Sequence, residues 1–168
     1  MKDFIVNIMT LCSFNLYFNC LDHLRKLSFT VAVKSSSSTL YSKTLIFDHI
    51  ISNVGNGYNP STGVFTAPRV GTYVFYVAAV EYSTYYLTLD IVINSAVKVR
   101  LVGYNSASYQ TGTNMVAQYL RRGDDVRVKH TSGKGYYTMT IPTTTFTGFM
   151  IQIAVSYTHL TLPTICSV

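Results

Sequence analysis

NVGNGYNPSTGVFTAPRVGTYVFYVAAV, residues 53–80, reads as turn, short strand, turn and long strand. Gly55, Gly57 and Gly63 permit positive φ in tight turns, and Asn59-Pro60 starts another. Pro68 cannot donate a ladder hydrogen bond, so it belongs at a strand edge or connection. From Gly71 the chain alternates. Tyr73, Phe75, Val77 and Ala79 face one way, and Val74, Tyr76, Ala78 and Val80 the other. Both faces are apolar, which places this strand in the middle of a sandwich or at a subunit interface.

The same period recurs downstream. Leu87, Leu89, Ile91 and Ile93 share a face opposite Thr88, Asp90 and Val92, and Asn94-Ser95 turns the chain. Val97, Val99 and Leu101 then alternate with Lys98, Arg100 and Val102. Met115, Ala117 and Tyr119 form another set, as do Val126 and Val128 against Arg127 and Lys129, while Tyr137, Met139 and Ile141 continue the pattern. Leu45–Val54 reads as a bent strand and 34–42 as a serine-rich surface loop. No segment carries a helical period. Nine or ten short strands and no helix predict an all-β fold, an antiparallel two-sheet sandwich.

Composition agrees. Fourteen Tyr and nine Phe with a charged fraction of 12% favour a β-rich domain, part of whose surface is covered by a partner. Residues 27–154 carry ten Lys/Arg against five Asp/Glu, about +5, a balance that favours anionic partners or serves solubility alone. Cys12, Cys20 and Cys166 all lie outside this stretch, so no disulfide framework is argued.

Several blocks, in order, resemble the globular head domain of complement C1q. They are Ser28–Ala32 with Phe29; Leu45–Gly55 with Phe47, Asn53 and Gly55; and Tyr58-Asn59 followed by Thr62–Pro68 with Gly63, Phe65 and Pro68. Gly71–Phe75 with Tyr73 and Phe75 follows, then Leu120–Val126 with Gly123, Asp124 and Val126, and finally Thr145–Ile151 with Phe146, Gly148 and Phe149. The resemblance is to a stalkless, invertebrate-like member, because no Gly-x-y repeat is present. It implies a jelly roll of the C1q/tumour-necrosis-factor type, a compact homotrimer and an extracellular, secreted location. It also implies a role in recognition: a lectin-like protein binding microbial glycans or lipopolysaccharide in innate immunity, with trimerisation supplying avidity. A secreted receptor ligand of the same fold type and a non-functional fragment are the competing readings. In this family an aromatic is common where Arg127 stands, which puts any inherited ligand set in doubt.

The ends read differently. Residues 1–26 fit either a secretory signal without a clean cleavage site or a mis-predicted start, and the stretch is too short and polar for a membrane span. Residues 155–168 match the translation GTC TCT TAT ACA CAT CTG ACG CTG CCG ACG followed by a short variable stretch, valine and stop, which resembles a transposase mosaic-end sequencing adapter. Adapter read-through is the expectation for this tail, so His159 and Cys166 enter no site. Finding those codons in genomic DNA would refute it.

Catalysis finds no motif here: no Gly-x-Ser-x-Gly elbow, phosphate loop or His-Glu-x-x-His occurs. Neighbours such as Asp48 and His49 face opposite sides of a strand, and His130, beside cations at a strand end, reads as surface. Calcium is implied by some members of the family but not by these residues, since Asp124-Asp125 is the only acidic pair, and Asp124 belongs to the turn. The expectation is no cofactor and no metal.

Two sets are left for binding. Of Tyr73, Phe75, Tyr76, Tyr82, Tyr85 and Tyr86, half should fill the core and the rest mark an interface. Lys98, Arg100, Arg121, Arg122, Arg127 and Lys129 are the candidate ligand residues for phosphate, sulfate or carboxylate groups of anionic microbial glycans, or for a host receptor. No nucleic acid is expected, because no recognised module is present.

Overall fold

The structure, a computed structural model, describes residues 27–39, 43–104 and 108–151. The leader and the tail discussed above lie outside these residues. Eleven strands follow one another: β1 (Ser28–Ala32), β2 (His49–Val54), β3 (Tyr58–Asn59), β4 (Val64–Thr66), β5 (Gly71–Glu81), β6 (Leu87–Ile93), β7 (Ala96–Gly103), β8 (Thr111–Leu120), β9 (Asp125–Gly133), β10 (Tyr136–Tyr137) and β11 (Thr145–Met150). They build two antiparallel sheets. One has six strands, with β5 flanked on one side by β8 and on the other by β10 and β11, followed by β1 and β2; the other runs β3-β4-β9-β6-β7.

Alternation explains the core. Tyr73, Phe75, Val77 and Ala79 of β5 are buried against Leu87, Leu89, Ile91 and Ile93 of β6 and Val126 and Val128 of β9. At its centre Phe29 stacks on Tyr58 and Phe65 with ring centroids 5.1 and 5.2 Å away, and meets Phe146 edge-on at 4.9 Å. Such aromatic pairs contribute beyond their buried area. Gly148 is glycine for lack of space, because a Cβ there would run into the Phe29 ring and lie 2.8 Å from the Phe75 ring.

The turn-rich stretch that precedes β5 is held by side chains standing in for strand partners. Asn53 Nδ2 donates to the Tyr58 carbonyl at 2.9 Å, and its Oδ1 accepts from the Tyr58 N–H at 3.3 Å. The buried Tyr58 hydroxyl accepts from the Phe47 N–H, and burial pushes its pKa up to about 12. Asn59 forms the expected Asx turn, its Oδ1 accepting from Ser61 N–H at 2.9 Å. The left-handed residues of the first turn are Gly55 (φ 84) and Asn56 (φ 52). Gly57 is not among them. Its missing Cβ instead makes room for the Phe65 ring.

Four expectations change. The strand expected over Leu45–Val54 begins only at His49, with Leu45 and Phe47 buried in irregular chain ahead of it. A bulge at Lys98 breaks the alternation of β7: Val97 pairs with Val92, Val99 with Ile91, and Val97 is therefore exposed. The last strand pattern stops at Tyr137, because Thr138, Thr143 and Thr144 bond within their own loop, leaving Met139 and Ile141 exposed. His130 is 4% exposed rather than a surface residue, since period two sets it on the same side as Val126 and Val128.

Candidate functional site

Three surfaces remain once the core is assigned. The first is the outer face of the six-stranded sheet. Cross-strand register sets Tyr76 between Met115 and Thr147, and Val74 between Ala117 and Phe149. Thr30 lies between Thr147 and Ser52, with the two threonine hydroxyls 3.3 Å apart. Met115 (58% exposed), Tyr119 (59%), Phe149 (44%) and Tyr76 (38%) thus share one sheet face with few charges. A folded chain that leaves four such side chains half open presents a contiguous patch of the kind that marks an interface.

The outer face of the five-stranded sheet is built differently. Asp90 sits at its middle on β6, 2% exposed, opposite Arg100 of β7 and Lys129 of β9. Arg100 grips it bidentately, Nε to Oδ1 at 2.6 Å and Nη2 to Oδ2 at 2.9 Å, and the Thr131 hydroxyl donates to Oδ2 at 2.8 Å. The Arg100 hydrogen bonds, aided by Thr131, hold the Asp90 carboxyl below the usual carboxylate range despite its burial.

This arrangement consumes part of the cationic set. Arg100 is committed to Asp90, and Arg127 pairs with Asp125 at 3.1 Å. Lys98 and Lys129 remain on the same sheet, exposed. Arg121 and Arg122 stand apart from these four, exposed at the turn between β8 and β9. That turn is closed by Asp124, whose Oδ2 accepts from the Arg121 N–H at 2.7 Å and whose Oδ1 accepts from Asn94 Nδ2 at 2.9 Å. These bonds hold the Asp124 carboxyl below its ordinary range. Among the described residues no three His, Cys, Asp or Glu side chains converge as a metal site would require.

The third surface is the end of the sandwich where β5 passes to β6, β7 to β8 and β9 to β10. Tyr85, Tyr86, Tyr104 and Tyr109 are exposed there. Tyr109 packs on Tyr137 at 4.7 Å, and the Lys134 ammonium lies 4.0 Å over the Tyr85 ring. Beneath them Glu81 is fully buried: its Oε1 accepts from the Gln110 N–H at 3.4 Å, and Oε2 has no partner among the described residues. Of the six-member aromatic set named from sequence, Tyr73 and Phe75 are core, Tyr76 belongs to the sheet face, and Tyr82, Tyr85 and Tyr86 to this pole. Tyr104, Tyr109, Tyr137 and Glu81 were not singled out. The signal available for Tyr104 and Tyr109 was tyrosine adjoining turn residues outside any alternation. His49 lines a separate cleft of about 470 Å³ with Lys34 and Thr138, and Asp48 accepts from the Lys34 N–H at 3.0 Å instead of orienting an imidazole.

Two antiparallel sheets of this order, with an apolar outer face on one, define a jelly-roll head of the C1q and tumour-necrosis-factor type. The C1q domain family model matches residues 28–151, and the chain belongs to that family. Its structure is similar to the globular domain of zebrafish complement 1qA protein, at 21% identity and a TM-score of 0.64, over 76% of this chain and 98% of that one. It is also similar to Eiger TNF from S. frugiperda (12% identity, TM-score 0.57, 80% and 98% covered) and to murine APRIL (11%, 0.55, 76% and 100%). At these identities the likeness is one of fold. Domains of this type form trimers, and C1q domain proteins are generally extracellular. Among the described residues no helix is long and apolar enough to cross a membrane.

Proposed function

We propose that this chain is the secreted subunit of a homotrimeric, lectin-like recognition protein that binds microbial glycans or lipopolysaccharide in innate immunity, rather than a catalyst. The observation that carries the reading is the outer face of the six-stranded sheet, where Tyr76, Met115, Tyr119 and Phe149 are open in a single copy. Two further copies would cover such a face, and three ligand sites on one body turn weak single contacts into avidity. The exposed cations Lys98, Arg121, Arg122 and Lys129 offer contacts for the anionic groups of such ligands.

Light scattering behind size exclusion tests the assembly, with a trimer as the expected mass and a folded monomer as the result that defeats it. Binding to bacteria that soluble carbohydrate abolishes would support recognition. Saturable binding to host cells that sugars leave untouched would assign the domain to receptor signalling instead.

A further inference from the structure

We propose that the tyrosine-lined pole is a binding site for neutral saccharide chains, read by aromatic faces and phenol groups rather than by charge; this rests on the recognition reading above and locates its ligand face. Tyr104 is 68% exposed and Tyr109 50%, far more than tyrosine needs to wet its hydroxyl. The loops that carry these rings are bound to one another through their backbones. Tyr109 N–H donates to Ser83 O at 3.0 Å, Tyr82 N–H to Gly135 O at 3.2 Å and Lys134 N–H to Tyr86 O at 3.2 Å. Rings on a backbone fixed in this way lose little freedom on meeting a ligand.

Two local rules are broken at the same place. Ser83 and Tyr109 adopt left-handed backbone, φ 61 and 62, although neither is glycine, and they are the two partners of one of those hydrogen bonds. Directly below, Glu81 keeps a buried carboxylate oxygen without a partner among the described residues. Strained backbone and a buried carboxyl oxygen without a partner among the described residues each lower stability, and their coincidence under an exposed aromatic cluster is the pattern of a functional surface.

Charge selects the ligand. Among the described residues 82–86, 104, 108–110 and 133–137 Lys134 is the only charged one, and its ammonium is already seated on Tyr85. A polyanion finds no cluster of cations here. A neutral sugar finds what it needs, because the C–H face of a pyranose packs on a ring face while its hydroxyls exchange hydrogen bonds with phenol groups.

The test uses the full chain in biolayer interferometry against immobilised mannan and laminarin, both neutral, and heparin, an anion. Tyr85→Ala and Tyr104→Ala should weaken binding to a neutral polysaccharide by roughly tenfold each with the oligomer mass unchanged. Raising salt to about 0.5 M should not weaken it. Arg121→Ala and Arg122→Ala should weaken binding to heparin while leaving binding to the neutral polysaccharides unchanged. Loss of neutral-polysaccharide binding confined to the arginine variants would overturn the pole assignment and leave the recognition reading standing. No binding of any of the three by an intact trimer would remove both.

Discussion

Replacing Tyr76 by lysine should convert the assembled protein to folded monomers. Tyr76 stands on the outward side of β5, between Met115 of β8 and Thr147 of β11, and is 38% exposed in the single copy. The core does not depend on it. Covering the roughly 90 Å² of tyrosine left open contributes about 2 kcal/mol at about 25 cal/mol per Å². Each of three protomers loses that contribution, about 6 kcal/mol in all, which corresponds to roughly four decades in the assembly constant. An ammonium buried in the same place without an acceptor adds several kcal/mol more against assembly. Light scattering at micromolar protein should therefore report monomer, while circular dichroism keeps its β signature. Tyr104→Lys, at the pole, is the control and should leave the mass unchanged. A Tyr76→Lys protein that stays folded and trimeric would refute the reasoning, since the interface would then lie elsewhere and the open Met115, Tyr119 and Phe149 side chains would need another explanation.

Other consequences follow from particular contacts. Gly148→Ala should destabilise the fold by about 1–3 kcal/mol because its methyl group meets the Phe29 and Phe75 rings; Phe29→Leu should relieve part of that, so a denaturation cycle at fixed protein concentration that came out additive would deny the contact. Tyr58 has its pKa raised from 10.0 to about 12 in the fold, so its stabilisation is complete below pH 10 and is lost as pH rises towards 12, on the order of 2–3 kcal/mol. Tyr58→Phe should remove that alkaline loss while lowering stability at neutral pH by about 1 kcal/mol, for want of an acceptor for the Phe47 N–H. Unchanged alkaline unfolding in the variant would contradict this assignment. Glu81→Gln keeps an acceptor for the Gln110 N–H, so the denaturant midpoint should stay within the equivalent of about 1 kcal/mol of the parent; a larger fall would show that the carboxyl makes a contact an amide cannot replace.

The stretches that alternate without interruption were legible from sequence, because a period of two repeated over β5, β6 and the first half of β9 leaves few ways to bury both sets of side chains. The places that were not legible share a cause: identical local patterns with different outcomes. Met115, Ala117 and Tyr119 alternate as cleanly as any core set, yet they face outward, and Val116 and Leu120 are the residues of that strand packed on the core. One extra residue at Lys98 sends Val97 to the other face, and nothing in Ala-Val-Lys-Val-Arg announces it. The cationic set looked uniform for a similar reason. Sequence shows that Arg100 and Arg127 alternate outward, but only strand register sets Asp90 opposite Arg100, whereas Asp125 stands two residues before Arg127 on the same strand and shares its face by period two.

Exposed aromatic residues in this chain therefore fall into two physical kinds that composition merges. On the sheet face, Tyr76, Tyr119 and Phe149 extend from regular strands, so their exposure costs only apolar area and the neighbouring copies of a trimer can remove it. At the pole, Tyr85, Tyr104 and Tyr109 extend from loops that use cross-loop hydrogen bonds, left-handed backbone and a buried carboxylate to hold them. A flat face that neighbouring copies cover needs none of that. Devices that lower stability in order to fix three rings against a short convex ligand do, and for this reason assembly is assigned to the sheet and recognition to the loops.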